Sequence, residues 1–310
     1  MRPTARLFAL LLLLAALAAP LRTSAQDTAN PFADLGLPEI AITVTDTAFD
    51  GAPSELEAGR YVLSVTNSSS SEEDAGVGFV QAPEGMTAAE LIGFMASLSA
   101  TPEAADGEAA PAEEEGGTGA PSWYYETEIA GGVYAPAGET AYAVIDLSAG
   151  EWMLWGDLPE APRAPVPVIV TGEAPADQPT PAADVTIAMQ EMSFSVDGSL
   201  TAGPQTIALT NAGQQPHFLL MVGVPEGTTP EDFLALSAAF AGDPTASPPA
   251  GLSFEELTTG IESTDLSSGG TVWLHADLAA GTYVLACFFP DQETGAPHAF
   301  LGMVDVVAVG

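Results

Sequence analysis

The sequence predicts an all-β protein built as two tandem Greek-key β-sandwiches, each with one short helical insertion. Three observations carry that expectation. Short runs of alternating apolar residues are bounded by Gly, Pro, Asn and Asp, the pattern of half-buried strands. Blocks of sequence recur in a fixed order, the mark of a repeated structural unit. After the N-terminal leader, no apolar run is long enough for a buried or membrane-spanning helix.

The repeat is explicit. AGRYVLSVTN (58–67) parallels AGPQTIALTN (202–211), APEGMTAAELIGFMASL (82–98) parallels VPEGTTPEDFLALSAAF (224–240), and GETAYAVIDLSAGEWML (138–154) parallels GGTVWLHADLAAGTYVL (269–285). The first copy carries an extra acidic segment rich in Ala, Pro and Gly at 101–122, with too little apolar content to fold. Residues 173–183 have linker composition, which places the units at 37–172 and 184–310.

In the second unit, VTIAM, QTIALTN, HFLLMVG, TVWLHADL, TYVLACFF and MVDVVAV read as strands. One helix is expected after Thr229, a capping residue followed by Pro230 at the first helical position and by Glu231 and Asp232 at the positive end of the helix dipole. Phe233, Leu236 and Phe240 share its apolar face, and Gly242 stops it. The equivalent segment of the first copy is expected to be helical as well.

The leader MRPTARLFALLLLLAALAAPLRTSA (1–25) orders basic, apolar and small residues as a secretory signal does, so the mature chain is expected outside the cytoplasm, secreted or periplasmic, without stable membrane insertion. Composition narrows the partners. Forty-two acids face five cationic residues, all arginine, and three of those lie in the leader. Nucleic acid and anionic lipid are therefore excluded as expected partners, since phosphate contacts need Lys and Arg. One cysteine, Cys287, allows no intrachain disulfide, and an exported thiol must be buried or ligated to escape oxidation.

All chemistry-bearing residues collect in the second unit. His217 opens HFLLMVG, Cys287 ends TYVLAC, and His298 and Met303 follow with the spacing Cys-x10-His-x4-Met. Two imidazoles, a thiolate and a thioether form a soft ligand set that matches a His2Cys copper site with a long axial Met. Zinc is the chemical alternative. Taken singly, each residue has a plainer explanation: a hydrogen-bonded structural His, a buried Cys and a core Met. His275, on the same strand face as Trp273 and Asp277, is expected to be structural or surface.

At Pro216-His217 and at the ordered Cys287, His298 and Met303, the second unit resembles the cupredoxins, the small blue copper domains. The resemblance covers about residues 184–310. It implies one type 1 copper held by His217, Cys287, His298 and Met303, an electron-transfer or copper-carrying function, and a redox or copper-exchange partner protein. Two departures from the family pattern are the long Cys-x10-His loop and Phe218, where many members carry a bracing Asn. The first unit has no histidine, and Gly156 falls at the position of Cys287, so it is expected to be a ligand-free cupredoxin-like repeat. Too few histidines remain for further copper centres, so the chain is expected not to be an enzyme. The alternative is a structural or binding protein whose site is vestigial or holds zinc. The aromatic and apolar residues around His298 are expected to form a docking collar around an exposed imidazole.

Overall fold

The computed structural model describes residues 29–83, 85–87, 90–91, 122–156 and 164–310. The leader, the insertion through residue 121 and nearly all of the first copy's expected helix lie outside them.

The N-terminal half contributes β1 (Glu39–Val44), β2 (Phe49–Asp50), β3 (Glu55–Glu57), β4 (Gly59–Asn67), β5 (Ala75–Gln81), β6 (Ile129–Ala135), β7 (Thr140–Leu147), β8 (Gly150–Trp155) and β9 (Val166–Thr171). The C-terminal half contributes β10 (Val185–Gln190), β11 (Ser193–Asp197), β12 (Gly203–Asn211), β13 (Leu220–Val224), β14 (Thr258–Glu262), β15 (Thr271–Leu278), β16 (Gly281–Ala286) and β17 (Val304–Val309). The fold is all-β, as the alternating patterns require.

The two halves repeat one strand order. β2-β1-β4-β7 and β11-β10-β12-β15 each form half of one eight-stranded sheet, and the smaller sheets run β9-β8-β5-β6 and β17-β16-β13-β14, with β3 added beside β9. The pairs β1–β4 and β10–β12 are parallel, the signature of a Greek-key crossover rather than a meander.

The halves are not beads on a string. β7 and β15, equivalent strands of the repeat, pair antiparallel through Ala143–Leu274 and Val144–Trp273. Ala143 and Leu274 are equivalent positions in the two copies, so the seam has near-twofold symmetry. Pairing these strands removes an open edge from each half. Strand alternation then serves two cores. Ala143, Ile145, Val272 and Leu274 face the main core, while Tyr142, Val144 and Trp273 face the other way and are capped by Phe32 with Leu35 and Leu37.

The segment expected to be a linker is packed rather than loose. Gln178 accepts from the Arg60 backbone N–H at 2.7 Å, and Arg60 Nη1 donates to Thr180 Oγ1 at 2.6 Å.

Helical segments complete the described fold, among them 3-10 turns at Ala33–Leu35, Phe254–Glu256 and His298–Leu301. α1 (Ser122–Glu126) falls where the acidic insertion was expected to end, and α2 (Pro230–Phe240) falls where its capping signals place it. In α2, Thr229 and Asp232 form a reciprocal capping box, and Phe233 and Leu236 are buried. Ser237, which interrupts the apolar face, is buried too and donates to the Phe233 carbonyl at 2.9 Å. Phe240 sits at the rim against Phe254.

Candidate metal centre

His217 reaches the site from the connection between β12 and β13, and one buried side chain fixes that connection. Asn211, the last residue of β12, donates through Nδ2 to Gln215 O (2.7 Å) and Leu266 O (2.8 Å), and its Oδ1 accepts from Gly213 N (2.9 Å). His217 and Leu266 exchange both backbone hydrogen bonds. The resemblance leaves a brace missing at Phe218, and Asn211 supplies one from seven residues upstream. Its signal was present in the sequence: both copies of the repeat end their long strand in Asn, at Asn67 and Asn211.

Cys287 follows β16 directly. Its N–H donates to Met303 O, and its carbonyl accepts from Ala299 N at 2.6 Å. The ten residues between Cys287 and His298 do not hold the two apart. His298 N donates to Phe289 O at 2.9 Å and Pro290 bridges Pro297, so the loop is pinched at its base. The excess length folds into its own turn, where Asp291 accepts from Thr294 N–H and Oγ–H. Met303 is fully buried and donates its N–H to the His298 carbonyl at 2.9 Å.

Three donor atoms converge. His217 Nδ1 and His298 Nδ1 are 2.9 Å apart, and Cys287 Sγ lies 3.9 Å from the first and 3.7 Å from the second. All three residues have zero exposure, and their ligand atoms lie within 4.8 Å of one another. His275 is elsewhere, edge-on to Phe32 at 6.5 Å.

The electrostatics suit a soft cation. Burial pushes both imidazoles down to about 4, so both are neutral near pH 7. Glu191 Oε1, 3.7 Å from His217 Nε2, opposes that depression. Glu191 is itself held below the usual carboxylate range, because the N–H groups of Gln214 and Gln215 outweigh its burial. Burial pushes the Cys287 thiol up to about 12, against N–H donors from Phe218 and Phe289. Without a metal the group is a thiol, and an ion must displace its proton. Both histidines also bury Nε2 without a hydrogen-bond partner. A dry cluster with two neutral imidazole nitrogens and a sulfur aimed at one another fits a metal better than it fits plain packing.

The expected collar differs in one respect. His298, Phe288, Phe289 and Ala299 are buried, and only Phe300 and Leu301 are exposed, at 37% and 40%. No imidazole edge reaches solvent: His217 and His298 are both fully buried, and the Phe289 ring lies 5.8 Å from that of His298.

The N-terminal half has no room for the equivalent ligand. A Cβ at Gly156 would lie 2.2 Å from Gly76 O and 2.7 Å from the Phe49 ring.

No family model matches the chain, and no curated protein is similar to it. Solved structures are. Auracyanin A from Chloroflexus aurantiacus, titled a "blue" copper protein, is 21% identical over 40% of this chain and 99% of its own, with a TM-score of 0.25. A multicopper oxidase is 13% identical over 100% of this chain and 97% of its own, with a TM-score of 0.23. The copper nitrite reductase from Nitrosomonas europaea is 11% identical over 88% and 93%, with a TM-score of 0.23. The cupredoxin-like resemblance stands on the repeated strand order and on the His217–Cys287–His298 cluster. The expectation that the chain is not an enzyme is withdrawn, because the similar structures include oxidases and nitrite reductases, which are enzymes. The histidine count behind that expectation addresses only additional copper centres.

Proposed function

We propose that this is an exported type 1 copper protein, for electron transfer or copper carriage, in which His217, Cys287 and His298 would hold a single ion with Met303 as a fourth, weaker ligand. The observation that carries the reading is the convergence of two neutral imidazole Nδ1 atoms and the Cys287 sulfur in a fully buried cluster.

A copper ion bound there supplies a one-electron couple. The residues do the rest. Asn211 and Leu266 fix His217, and the Phe289–His298 pinch fixes the other imidazole, so little rearrangement accompanies a change of charge at the site. The N–H groups of Phe218 and Phe289 stabilise the sulfur as thiolate. Complete burial keeps water out. A redox or copper-exchange partner would approach beside His298, where Phe300 and Leu301 are exposed. The basic, apolar and small-residue order of residues 1–25 supports export. The first unit then serves as a ligand-free companion domain.

The test is to add Cu(II) to the purified mature protein and record visible absorbance and electron paramagnetic resonance. An intense thiolate-to-copper band with narrow copper hyperfine splitting, abolished by Cys287→Ser, is the expected result. A colourless protein that takes up only zinc, or no metal, overturns the copper reading.

A further inference from the structure

We propose that Tyr124 and Tyr125, contributed by the N-terminal half, are positioning residues for the Cys287–His298 loop, so that the half without ligands forms one wall of the metal centre. The proposal rests on the copper reading above for its meaning, though not for all of its evidence.

Phe289 is the pivot. Its carbonyl accepts from the His298 N–H, its own N–H donates toward the Cys287 sulfur, and its ring lies 5.8 Å from the His298 ring. One residue therefore touches both ligands of the loop. Its ring is held from two sides by α1. Tyr124 stacks on it nearly parallel, with centroids 6.1 Å apart and planes 8° apart, and Tyr125 meets it edge-on at 5.6 Å and 88°. The next residue is held as well, since Tyr125 Oη donates to Pro290 O at 3.0 Å. Both tyrosines are buried. Aromatic pairs of this kind have a preferred geometry, so they fix position as well as fill volume.

The same N-terminal segment grips the other ligand. Leu266, which pairs with His217, bridges Ala130 of β6. Ser267 N donates to Ile129 O, and Tyr124 Oη donates to Asp265 Oδ2 at 3.2 Å. His217 and His298 arrive from places 81 residues apart in sequence, and residues 124–130 contact the supports of both. A rigid wall that touches both supports sets the separation of the ligands, which a loop attached only at its own base cannot do.

The variants are Tyr125→Phe, which deletes one hydroxyl, and Tyr124→Leu, which deletes the stack. Arg60→Ala serves as a control, since it breaks a contact between the halves far from the loop. In Tyr125→Phe the thiolate-to-copper band should move in wavelength or relative intensity, and copper affinity should fall about tenfold, the worth of one buried hydrogen bond. In metal-free protein the amides of His298 and Ala299 should exchange with solvent about tenfold faster. Tyr124→Leu should show larger changes of the same kind, and Arg60→Ala should lower stability while keeping the wild-type band. If both tyrosine variants keep the wild-type band, affinity and exchange rates, the proposal is overturned. Should Tyr124→Leu not fold, Tyr125→Phe decides. Should the wild type give no copper band, the copper reading fails, and the exchange rates alone decide whether the tyrosines hold the loop.

Discussion

The Arg60 guanidinium of the N-terminal half sits 4.5 Å from the centroid of the Trp273 ring of the C-terminal half. The same group makes a two-pronged ion pair with Asp146, both contacts at 2.8 Å, and donates to Pro179 O and Thr180 Oγ1 in the connecting segment. One of the two arginines outside the leader thus ties both halves and the segment between them. Arg60→Ala should cost about 1–2 kcal/mol in urea denaturation, a figure kept small because Asp146 is half exposed and water screens the pair. Arg60→Lys should recover little of it, because an ammonium cannot match the planar fork on a carboxylate while covering an indole. Full recovery by Lys would show that charge alone matters here.

Asn67 and Asn211 occupy equivalent places and make equivalent bonds. Asn67 Nδ2 donates to Glu73 O and Ala135 O, as Asn211 Nδ2 does to Gln215 O and Leu266 O. Asn211→Ala takes one donor from the Gln215 and Leu266 carbonyls, the second of which keeps the His217 N–H, and strips the Gly213 N–H of its acceptor; the loss for either Asn is about 1–3 kcal/mol. Only the change at Asn211 loosens the connection that carries a histidine. Asn211→Ala should therefore weaken copper binding at least tenfold in a competition titration, with Asn67→Ala matching it in stability loss but not in affinity. Equal affinity losses would mean that the brace acts through global stability alone.

That comparison also shows what could be read from sequence. The order Cys287, His298, Met303 and the distant His217 pointed to one site, because metal chemistry restricts which side chains cluster. The strands were visible in alternation such as TVWLHADL. Alternation records which face is buried and says nothing about which edge is paired, so the β7–β15 seam was invisible. The clamp on Phe289, whose carbonyl holds the His298 N–H, was also invisible, because it comes from Tyr124 and Tyr125, more than 150 residues upstream in a segment that reads as the end of a low-complexity run. The length of the Cys-to-His loop looked like an obstacle only because the Phe289–His298 hydrogen bond, which shortens it, leaves no mark on composition.

Gly213 offers a sharper perturbation. A Cβ there would lie 2.6 Å from Glu191 Oε1 and 2.9 Å from His217 Nε2, closer than real Cβ contacts allow. Gly213→Ala must displace the carboxylate, the imidazole or both. The expected outcome is a folded protein, by circular dichroism, whose copper band is altered and whose affinity falls. Gly227→Ala is a fair contrast, since its Cβ would meet nothing within 4 Å, although its φ of +86° strains any side chain. It should lose stability and keep the wild-type band. An unaltered band in Gly213→Ala would mean that His217 is less tightly seated than these distances require.

Acid provides the last test, and its direction follows from the buried imidazoles. Both histidines sit at about 4 in the fold, because burial disfavours their charged forms. In the unfolded chain they return to about 6.5. A group whose folded value is depressed in this way costs nothing above the unfolded value, because neither state is protonated there. As pH falls from about 6.5 to about 4, only the unfolded state takes up the proton, and stability is lost by up to about 3 kcal/mol per histidine. Below about 4 the loss levels off. Asp265 works the other way. Burial raises its carboxyl to about 7, so protonating it as pH falls relieves a buried charge and adds stability over part of the same range. Urea midpoints of the metal-free protein between pH 7 and 4 should therefore fall moderately in the wild type and more steeply in Asp265→Asn. The slope should flatten in His217→Gln/His298→Gln. Bound copper should delay the loss to lower pH, because protons must then compete with the ion for Nδ1. A flat profile in metal-free Asp265→Asn, where that opposing contribution is gone, would show that the imidazoles are not held neutral by burial, and the electrostatic case for the metal centre would fall with it.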